Sequence, residues 1–297
     1  MYPRAFHYHR AGSLNEAAEM LSQLGDEAKL LAGGQSLIPL MKLRFANPAH
    51  LIDLNFIPKT SYIAHENGVL RLGALTRHSE IENSEIAAKI PILHDCAAGI
   101  ADVQVRNRGT IGGSLAEADP SGDWAVALMT LSTDVHCLNA KGERHISLPQ
   151  FIKDAYTTDL SHGELVKEVA IRIPAKNSGG AYLAFKRAAP VYPTATAAVQ
   201  LTMDGDMCKD AAIVLGCVGL TPVRVTNAES ALQGHKIDDK SLAAAEEAAR
   251  AAADPQPDMR GSAEYKRSLV GALVKRAIRI AEKRARGEQV QVGPIYA

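Results

Sequence analysis

The spacing of apolar and polar residues divides the chain into three regions, and the first region begins with a predicted helix that is followed by strands. The segment "SLNEAAEMLSQL", residues 13–24, repeats its apolar positions at helical spacing. Ser13 is predicted as the N-cap, and Glu16 three residues later completes a capping box. Strands are predicted at 28–32 and 50–53, so the region is a small helix and strand unit.

The second region, roughly 58–175, predicts a mainly stranded unit. Asn67-Gly68 between two alternating runs indicates a tight hairpin. The other predicted elements are helices at 79–88 and 91–101 and strands at 134–138, 145–147 and 165–173. Pro174 and the sequence "AKNSGG" then predict a boundary.

The third region, about 180–287, predicts strands followed by helices. The predicted strands lie at 182–187, 195–203 and 210–218, and alanine-rich helices follow. The last helix, "AEYKRSLVGALVKRAIRIAEKRA", carries Leu269, Leu273, Ala277 and Ile280 on one stripe. Its basic residues favour an amphipathic helix packed on its own domain over a membrane or nucleic-acid contact. Tandem strands and then tandem helices indicate an α+β fold.

Composition limits the classes of partner. The 297 residues include 33 basic and 33 acidic ones, so no net field favours nucleic acid, and no run is long enough to span a membrane. The start, "MYPRAFHYHR", is too polar for a signal peptide, and a cytoplasmic location is expected. Four scattered cysteines and isolated histidines predict no metal site in this chain.

Two glycine pairs carry the candidate chemistry. In "LLAGGQSLIPLMKLR", Gly33 and Gly34 separate a strand from a helix predicted to begin at Ser36 or Leu37. Without Cβ atoms the backbone can approach a ligand closely, and the N–H groups at the helix start suit a phosphate. A tight turn that merely needs positive φ is the alternative.

The second pair lies in "GTIGGSLAEADPSGDW", residues 109–124, and is interpreted as a further turn. Asp119 is predicted as an N-cap, with Pro120 at the first position of another helix. Two such turns could clasp a diphosphate. Neither matches G-x-G-x-x-G or G-x-x-x-x-G-K-[ST], which argues against a Rossmann or P-loop site.

"AGGQSL", followed about 75 residues later by "TIGGSLAEADPSGD", resembles the FAD-binding medium subunit of molybdenum hydroxylases, the carbon monoxide dehydrogenase and xanthine dehydrogenase family. The resemblance covers the whole chain. It implies a two-subdomain FAD-binding domain of the vanillyl-alcohol-oxidase/PCMH type and a C-terminal domain with a three-stranded antiparallel sheet and a helical bundle. The expected bounds are 1–57, 58–175 and 176–287, with a tail at 288–297.

The same resemblance implies which residues bind FAD. The diphosphate would be held by Ala32, Gly33, Gly34, Gln35, Ser36 and Leu37, and by Thr110, Ile111, Gly112, Gly113 and Ser114. Ser114 stands where many relatives have Asn. Around the rest of the flavin, the resemblance implies Asp123 at the sugar-alcohol chain, Lys186 and Ile100 near the ring, Tyr192 over the ring, and Val166 or Leu165. A helix-dipole role for Asp123, a surface position for Lys186 and ordinary packing for Tyr192 are the alternatives.

The resemblance further implies an electron relay without an acid/base or nucleophilic residue of its own. A large subunit with a molybdenum cofactor and a small subunit with two [2Fe–2S] clusters would deliver electrons to FAD here, and an external acceptor would take them. A dimer of heterotrimers is expected. Two alternatives stay open: a self-contained flavoenzyme, such as an enolpyruvyl-sugar reductase, and a non-enzymatic nucleotide-binding assembly module.

Overall fold

Three larger sheets and one two-stranded sheet, formed by residues 152–154 and 157–158, organise the chain in a computed structural model, which describes residues 2–293 and the backbone of 295–296. The first unit comprises β1 (His7–Arg10), α1 (Leu14–Leu24), β2 (Ala28–Leu31), α2 (Leu37–Leu43) and β3 (His50–Asp53). Its parallel sheet has the order β1-β3-β2. Ser13 is the N-cap of α1, as predicted, and its Oγ accepts from the N–H of Glu16 at 3.1 Å. The Glu16 carboxylate instead bonds the N–H of Gly12, so no capping box closes.

The second unit is built on a five-stranded antiparallel sheet. Its elements are β4 (Ile63–Glu66), β5 (Val69–Gly73), α3 (His78–Glu82), α4 (Pro91–Gly99), α5 (Val103–Arg106), α6 (Ile111–Glu117), α7 (Trp124–Leu128), β6 (Thr133–Asn139), β7 (Gly142–Ser147), α8 (Leu148–Phe151), β8 (Ile152–Asp154), β9 (Thr157–Thr158) and β10 (Leu165–Arg172). The sheet order is β4-β5-β10-β6-β7. Asn67 and Gly68, with φ of 51° and 77°, form the predicted hairpin turn between β4 and β5.

The predicted helix at 79–88 is wrong in its extent. The helix α3 ends at Glu82, because the side chain of Asn83 donates back to the carbonyl of Ser79 at 2.7 Å. A separate 3₁₀ turn at Ala87–Lys89 follows, and Ser84 Oγ accepts from the N–H of Ala87 at its start. Short polar side chains that bond nearby backbone groups compete with helix continuation.

The third unit packs helices on a second five-stranded sheet. Its elements are β11 (Ser178–Lys186), β12 (Ala195–Asp204), β13 (Met207–Gly216), β14 (Val223–Arg224), α9 (Thr226–Leu232), α10 (Asp239–Ala252), α11 (Ala263–Ala285) and β15 (Ile295–Tyr296). The sheet order is β14-β13-β12-β11-β15. The three predicted antiparallel strands are therefore its three long ones, flanked by two short edge strands. Part of the predicted tail, residues 294 and 297, lies outside the described residues.

A buried ion pair joins the third unit to the second. Arg284 of α11 forms a two-pronged bond with Asp95 of α4, with Nη1 to Oδ2 at 2.5 Å and Nη2 to Oδ1 at 3.0 Å. The backbone N–H of Tyr182 donates to the same carboxylate at 3.2 Å. This contact fixes β11 against α4. Among the described residues, no helix has both the length and the apolar composition needed to cross a bilayer.

Candidate cofactor site

A cleft of about 310 Å³ opens where the three units meet. One wall is the segment between β2 and α2, and the facing wall is the start of α6. The end of β11 and the loop 190–193 close the far side. Its volume lies at the small end of the range for ligand pockets in proteins.

The turn at residues 33–37 presents unpaired backbone donors. The N–H groups of Gly33, Gly34, Gln35, Ser36 and Leu37 have no hydrogen-bond partner within the part of the chain that the structure describes. Gly34 has φ of 71°, which glycine adopts without strain, and Ser36 makes no capping bond. Successive free N–H groups of this kind form an anion-binding concavity.

Gly33 is small for a reason that the sequence did not indicate. A Cβ atom built there would lie 2.4 Å from the carbonyl oxygen of Arg108 and 2.8 Å from the Cα of Gly109. The turn thus packs directly on the backbone that leads into α6. Contact between the two walls, as well as access for a ligand, requires glycine at this position.

The second glycine pair does not form the predicted turn. Gly112 and Gly113 lie in the first turn of α6, for which Thr110 is the N-cap. Four consecutive N–H groups are already bonded: those of Ile111 and Gly112 to the carbonyls of Thr76 and Ala74, and those of Gly113 and Ser114 to Thr110. The N–H groups at this glycine pair are therefore not free to bind a ligand. Ile111 and Gly112 pack inward and lie outside the cleft lining.

Asp119 is not a helix cap, contrary to the prediction. It begins a turn in which its carbonyl accepts from Gly122 N–H and its Oδ1 accepts from Ser121 N–H, both at 2.8 Å. The next helix, α7, begins only at Trp124, and Asp123 is its N-cap residue. The Asp119 carboxylate faces the hydroxyl of Tyr192, whose pKa is raised by burial and then by this charge.

A buried polar group forms the far end of the cleft. The hydroxyl of Tyr182 donates to Asp123 Oδ1 at 2.6 Å, and Lys186 Nζ donates to the carbonyl of Gly99. Burial raises the pKa of Asp123, while the nearby Lys186 charge opposes that shift. Lys186 is only 1% exposed, so the alternative of a surface lysine is wrong.

Thirteen of the sixteen residues predicted to bind FAD line this one cleft. They are Ala32, Gly33, Gly34, Gln35, Ser36, Leu37, Ile100, Thr110, Gly113, Ser114, Asp123, Lys186 and Tyr192. The exceptions are Ile111, Gly112 and Val166. Val166 lies inside β10 opposite Cys137 of β6, where its side chain joins the core of the second unit. The backbone N–H groups and the buried charges suit a diphosphate and a polyhydroxylated chain.

Comparison with known proteins gives the same result over the whole chain. A family model described as the FAD binding domain in molybdopterin dehydrogenase matches residues 4–176, and one described as the CO dehydrogenase flavoprotein C-terminal domain matches residues 180–281. The chain belongs to the FAD-binding medium subunits of the molybdenum hydroxylases. The family and the fold class predicted from the motifs are thereby confirmed, and the medium subunit is one part of an oxidoreductase.

Relatives and solved structures match nearly end to end. The carbon monoxide dehydrogenase medium chain of Afipia carboxidovorans is 38% identical over 96% of this chain and 100% of its own. The 6-hydroxypseudooxynicotine dehydrogenase complex subunit alpha of Paenarthrobacter nicotinovorans is 37% identical over 96% of this chain and 97% of its own. A structure of Hydrogenophaga pseudoflava carbon monoxide dehydrogenase lacking the Mo-pyranopterin moiety has a TM-score of 0.93 at 39% identity, covering 96% of this chain and 99% of that one.

Sequence reasoning missed several side chains of the medium subunit that line the cleft, including those of His78 and Glu117. His78 is 5% exposed, and its Nδ1 accepts from the indole N–H of Trp124 at 3.0 Å. Burial lowers the pKa of His78 to about 3, with help from Arg77 and Arg106. Glu117, at the end of α6, has a pKa raised by burial and by Asp119. No spacing rule marks either residue, because each gains its role from distant parts of the chain.

Proposed function

We propose that this medium subunit carries FAD in the cleft and passes electrons from the [2Fe–2S] clusters of a small partner subunit to an external acceptor. The observation that supports this most directly is the run of five unpaired N–H groups at 33–37. The first N–H groups of a helix have no partner within the helix, and a diphosphate in the cleft would satisfy several of them at once.

The residues divide the binding work between the two ends of the cleft. At the first end, residues 32–37 would hold the diphosphate through the backbone, and Thr110 offers one further N–H that has no partner among the described residues. At the far end, the buried carboxylate of Asp123 would accept hydrogen bonds from hydroxyl groups of the ligand. Gly113 and Ser114 would supply surface contact, since their N–H groups are occupied.

Bound FAD supplies the redox chemistry, while the protein orients it and sets its electrostatic surroundings. The Lys186 ammonium lies on the buried wall, where a positive charge favours negative charge on whatever binds beside it. Ile100 and Leu37 provide apolar surface that excludes water from the cleft. Tyr192 is 48% exposed on the closing loop, so its ring can cover the ligand from the solvent side.

The proposed assembly follows from the relatives. Molybdenum hydroxylases join a medium subunit to large and small subunits, and we extend this to a dimer of heterotrimers in the cytoplasm. The large subunit would hold the molybdenum cofactor and choose the substrate. Relatives are named for carbon monoxide, glyceraldehyde and caffeine, which fits a medium subunit whose cleft is built for FAD.

The test is an absorbance measurement on the isolated chain and on the complex. We expect the isolated chain to bind FAD noncovalently, so that acid denaturation releases the flavin into the supernatant. In stopped-flow absorbance, substrate should bleach the iron–sulfur and flavin bands of the complex and leave the isolated FAD-loaded chain unchanged. Substrate oxidation by the isolated chain at the rate of the complex would instead favour a self-contained flavoenzyme. A chain that bound no flavin would favour the assembly module.

A further inference from the structure

His78 has a free donor that the cleft leaves without a partner. His78 is only 5% exposed, and its imidazole lines the cleft. Because Nδ1 accepts the indole N–H of Trp124, the proton of a neutral ring must be on Nε2. Nε2 has no hydrogen-bond partner among the described residues. Nε2 is not one of the fully enclosed polar atoms without a partner, so it is accessible from the cleft, where solvent or a bound ligand can accept its hydrogen bond.

The position of Nε2 places this donor at the diphosphate end. A Cβ atom on Gly109 would lie 2.5 Å from Nε2, so only glycine lets the imidazole lie alongside this backbone. The same backbone segment contacts Gly33, at the start of the turn with unpaired N–H groups. The imidazole and the five free backbone donors therefore border the same part of the cleft.

A side-chain donor is needed on this wall because the N–H groups at the second glycine pair are already bonded. The N–H groups of residues 111–114 are all bonded within the chain, so α6 offers few backbone donors of its own. The donors that this wall can offer to an anion are Thr110 N–H, the hydroxyl of Ser114 and His78 Nε2–H. A neutral imidazole suits such a role, because it donates without adding a third positive charge beside Arg77 and Arg106.

We propose that His78 is a cofactor-binding residue whose Nε2–H donates to an oxygen of the FAD diphosphate, with Trp124 as the positioning residue that holds the required tautomer. This inference rests on the proposed FAD site. It assigns to the α6 wall a side-chain contact in place of the backbone contacts that its glycine motif suggests. Burial and the two neighbouring guanidinium groups keep the ring neutral, since the pKa of His78 is about 3.

The experiment compares three ligands on the full chain after removal of flavin. FAD and ADP both contain the diphosphate, whereas riboflavin lacks it. In His78→Leu we expect the affinities for FAD and ADP to fall about ten- to hundredfold, the worth of a hydrogen bond to a charged group. Riboflavin affinity should stay unchanged. In His78→Gln, whose amide can donate from near the Nε2 position, the loss should stay within about threefold.

Nitrogen NMR of the wild-type imidazole keeps the proposal testable if the variants fold poorly. The protonated nitrogen should be Nε2, and its resonance should move when FAD or ADP binds but not when riboflavin binds. Trp124→Phe should mix the two tautomers. The inference would be overturned by unchanged FAD affinity in folded His78→Leu, or by an Nε2 resonance that does not shift when ADP binds. Neither result would contradict the proposed FAD site. Wild-type protein that bound no FAD would overturn the proposed function, and the inference with it.

Discussion

At Gly33-Gly34, five consecutive backbone N–H groups lack a partner among the described residues, whereas at Gly112-Gly113 four consecutive N–H groups are all bonded within the chain. The first pair opens a turn toward the cleft. The second pair lets a helix approach the backbone of Ala74 closely. The same Gly-Gly sequence thus provides a ligand-binding surface in one place and a packing contact in the other. Substitutions at the first pair should therefore lower FAD affinity, and substitutions at the second should lower stability.

The largest effect is expected from Gly33→Ala. The new Cβ would collide with the Arg108 carbonyl and displace the unpaired donors, so FAD affinity should fall by about a hundredfold, roughly 3 kcal/mol. Titration of flavin fluorescence measures this. Gly205→Ala is the control, because its φ of 58° strains an alanine while its Cβ position, in a distant hairpin, contacts nothing. Equal losses in both variants would mean that strain, and not the cleft, is being measured.

Gly112→Ala should act mainly on stability. Its Cβ would lie 2.6 Å from the Ala74 Cβ and 2.8 Å from the Ala74 oxygen, which predicts a loss of about 1–3 kcal/mol in the free energy of unfolding. Urea unfolding of the flavin-free chain gives this value. Gly99→Ala, with open space at its Cβ position in α4, should be neutral or slightly stabilising. A Gly112→Ala protein that kept full stability but lost FAD would reverse the comparison.

The pH dependence of stability should report on His78, beside the second wall. Its pKa of about 3 in the folded state is below the unfolded value near 6.5, so the unfolded chain takes up the proton first. The stability that the neutral, buried imidazole contributes is complete above pH 6.5. It is lost as the pH falls toward 3, at about 1.4 kcal/mol of unfolding free energy per pH unit. Between pH 6.5 and 5 the wild type should therefore lose about 2 kcal/mol more than His78→Gln. Parallel pH profiles for the two proteins would contradict this.

The smallest contrast concerns the residues before the two helices. Thr110 Oγ1 accepts from Gly113 N–H at 3.1 Å, whereas Ser36 makes no capping bond. Thr110→Val should therefore cost about 1 kcal/mol of unfolding free energy and Ser36→Ala less than about 0.5 kcal/mol. Thermal or urea unfolding distinguishes them. A larger loss of unfolding free energy in Ser36→Ala than in Thr110→Val would contradict this, because it would require a stabilising bond from the Ser36 hydroxyl.

Elements with a strong periodic pattern could be predicted from sequence. The helix α11 begins after its N-cap Ser262 and covers the quoted segment, with Leu273, Ala277 and Ile280 buried as the stripe requires. The helices α5 and α6 could not be predicted, because "VQVRNRGTIGGSLAE" is rich in β-branched residues and glycine. Side-chain caps from Asp102 and Thr110, together with close packing at Gly112, outweigh those weak propensities.

The candidate site divides in the same way. The motif that contains Gly33 predicted the free donors, because a strand, a glycine pair and a helix follow each other locally. His78 depends on an indole 46 residues away, and the burial of Lys186 depends on the packing of α4 against β11. Local pattern carries no information about such pairs. The domain bounds and the individual FAD contacts stay predictions.

The ion pair between Asp95 and Arg284 spans 189 residues of sequence, which has a consequence in time. During synthesis on the ribosome, the carboxylate of Asp95 exists long before its guanidinium partner is translated. Until α11 is made, the Arg284 side of this contact is missing, and β11 is held on α4 only by its own bonds from Tyr182 N–H to Asp95 and from Lys186 to the Gly99 carbonyl and by apolar packing. We therefore expect this wall of the cleft to be complete, and the cofactor to bind, only after translation has passed Arg284.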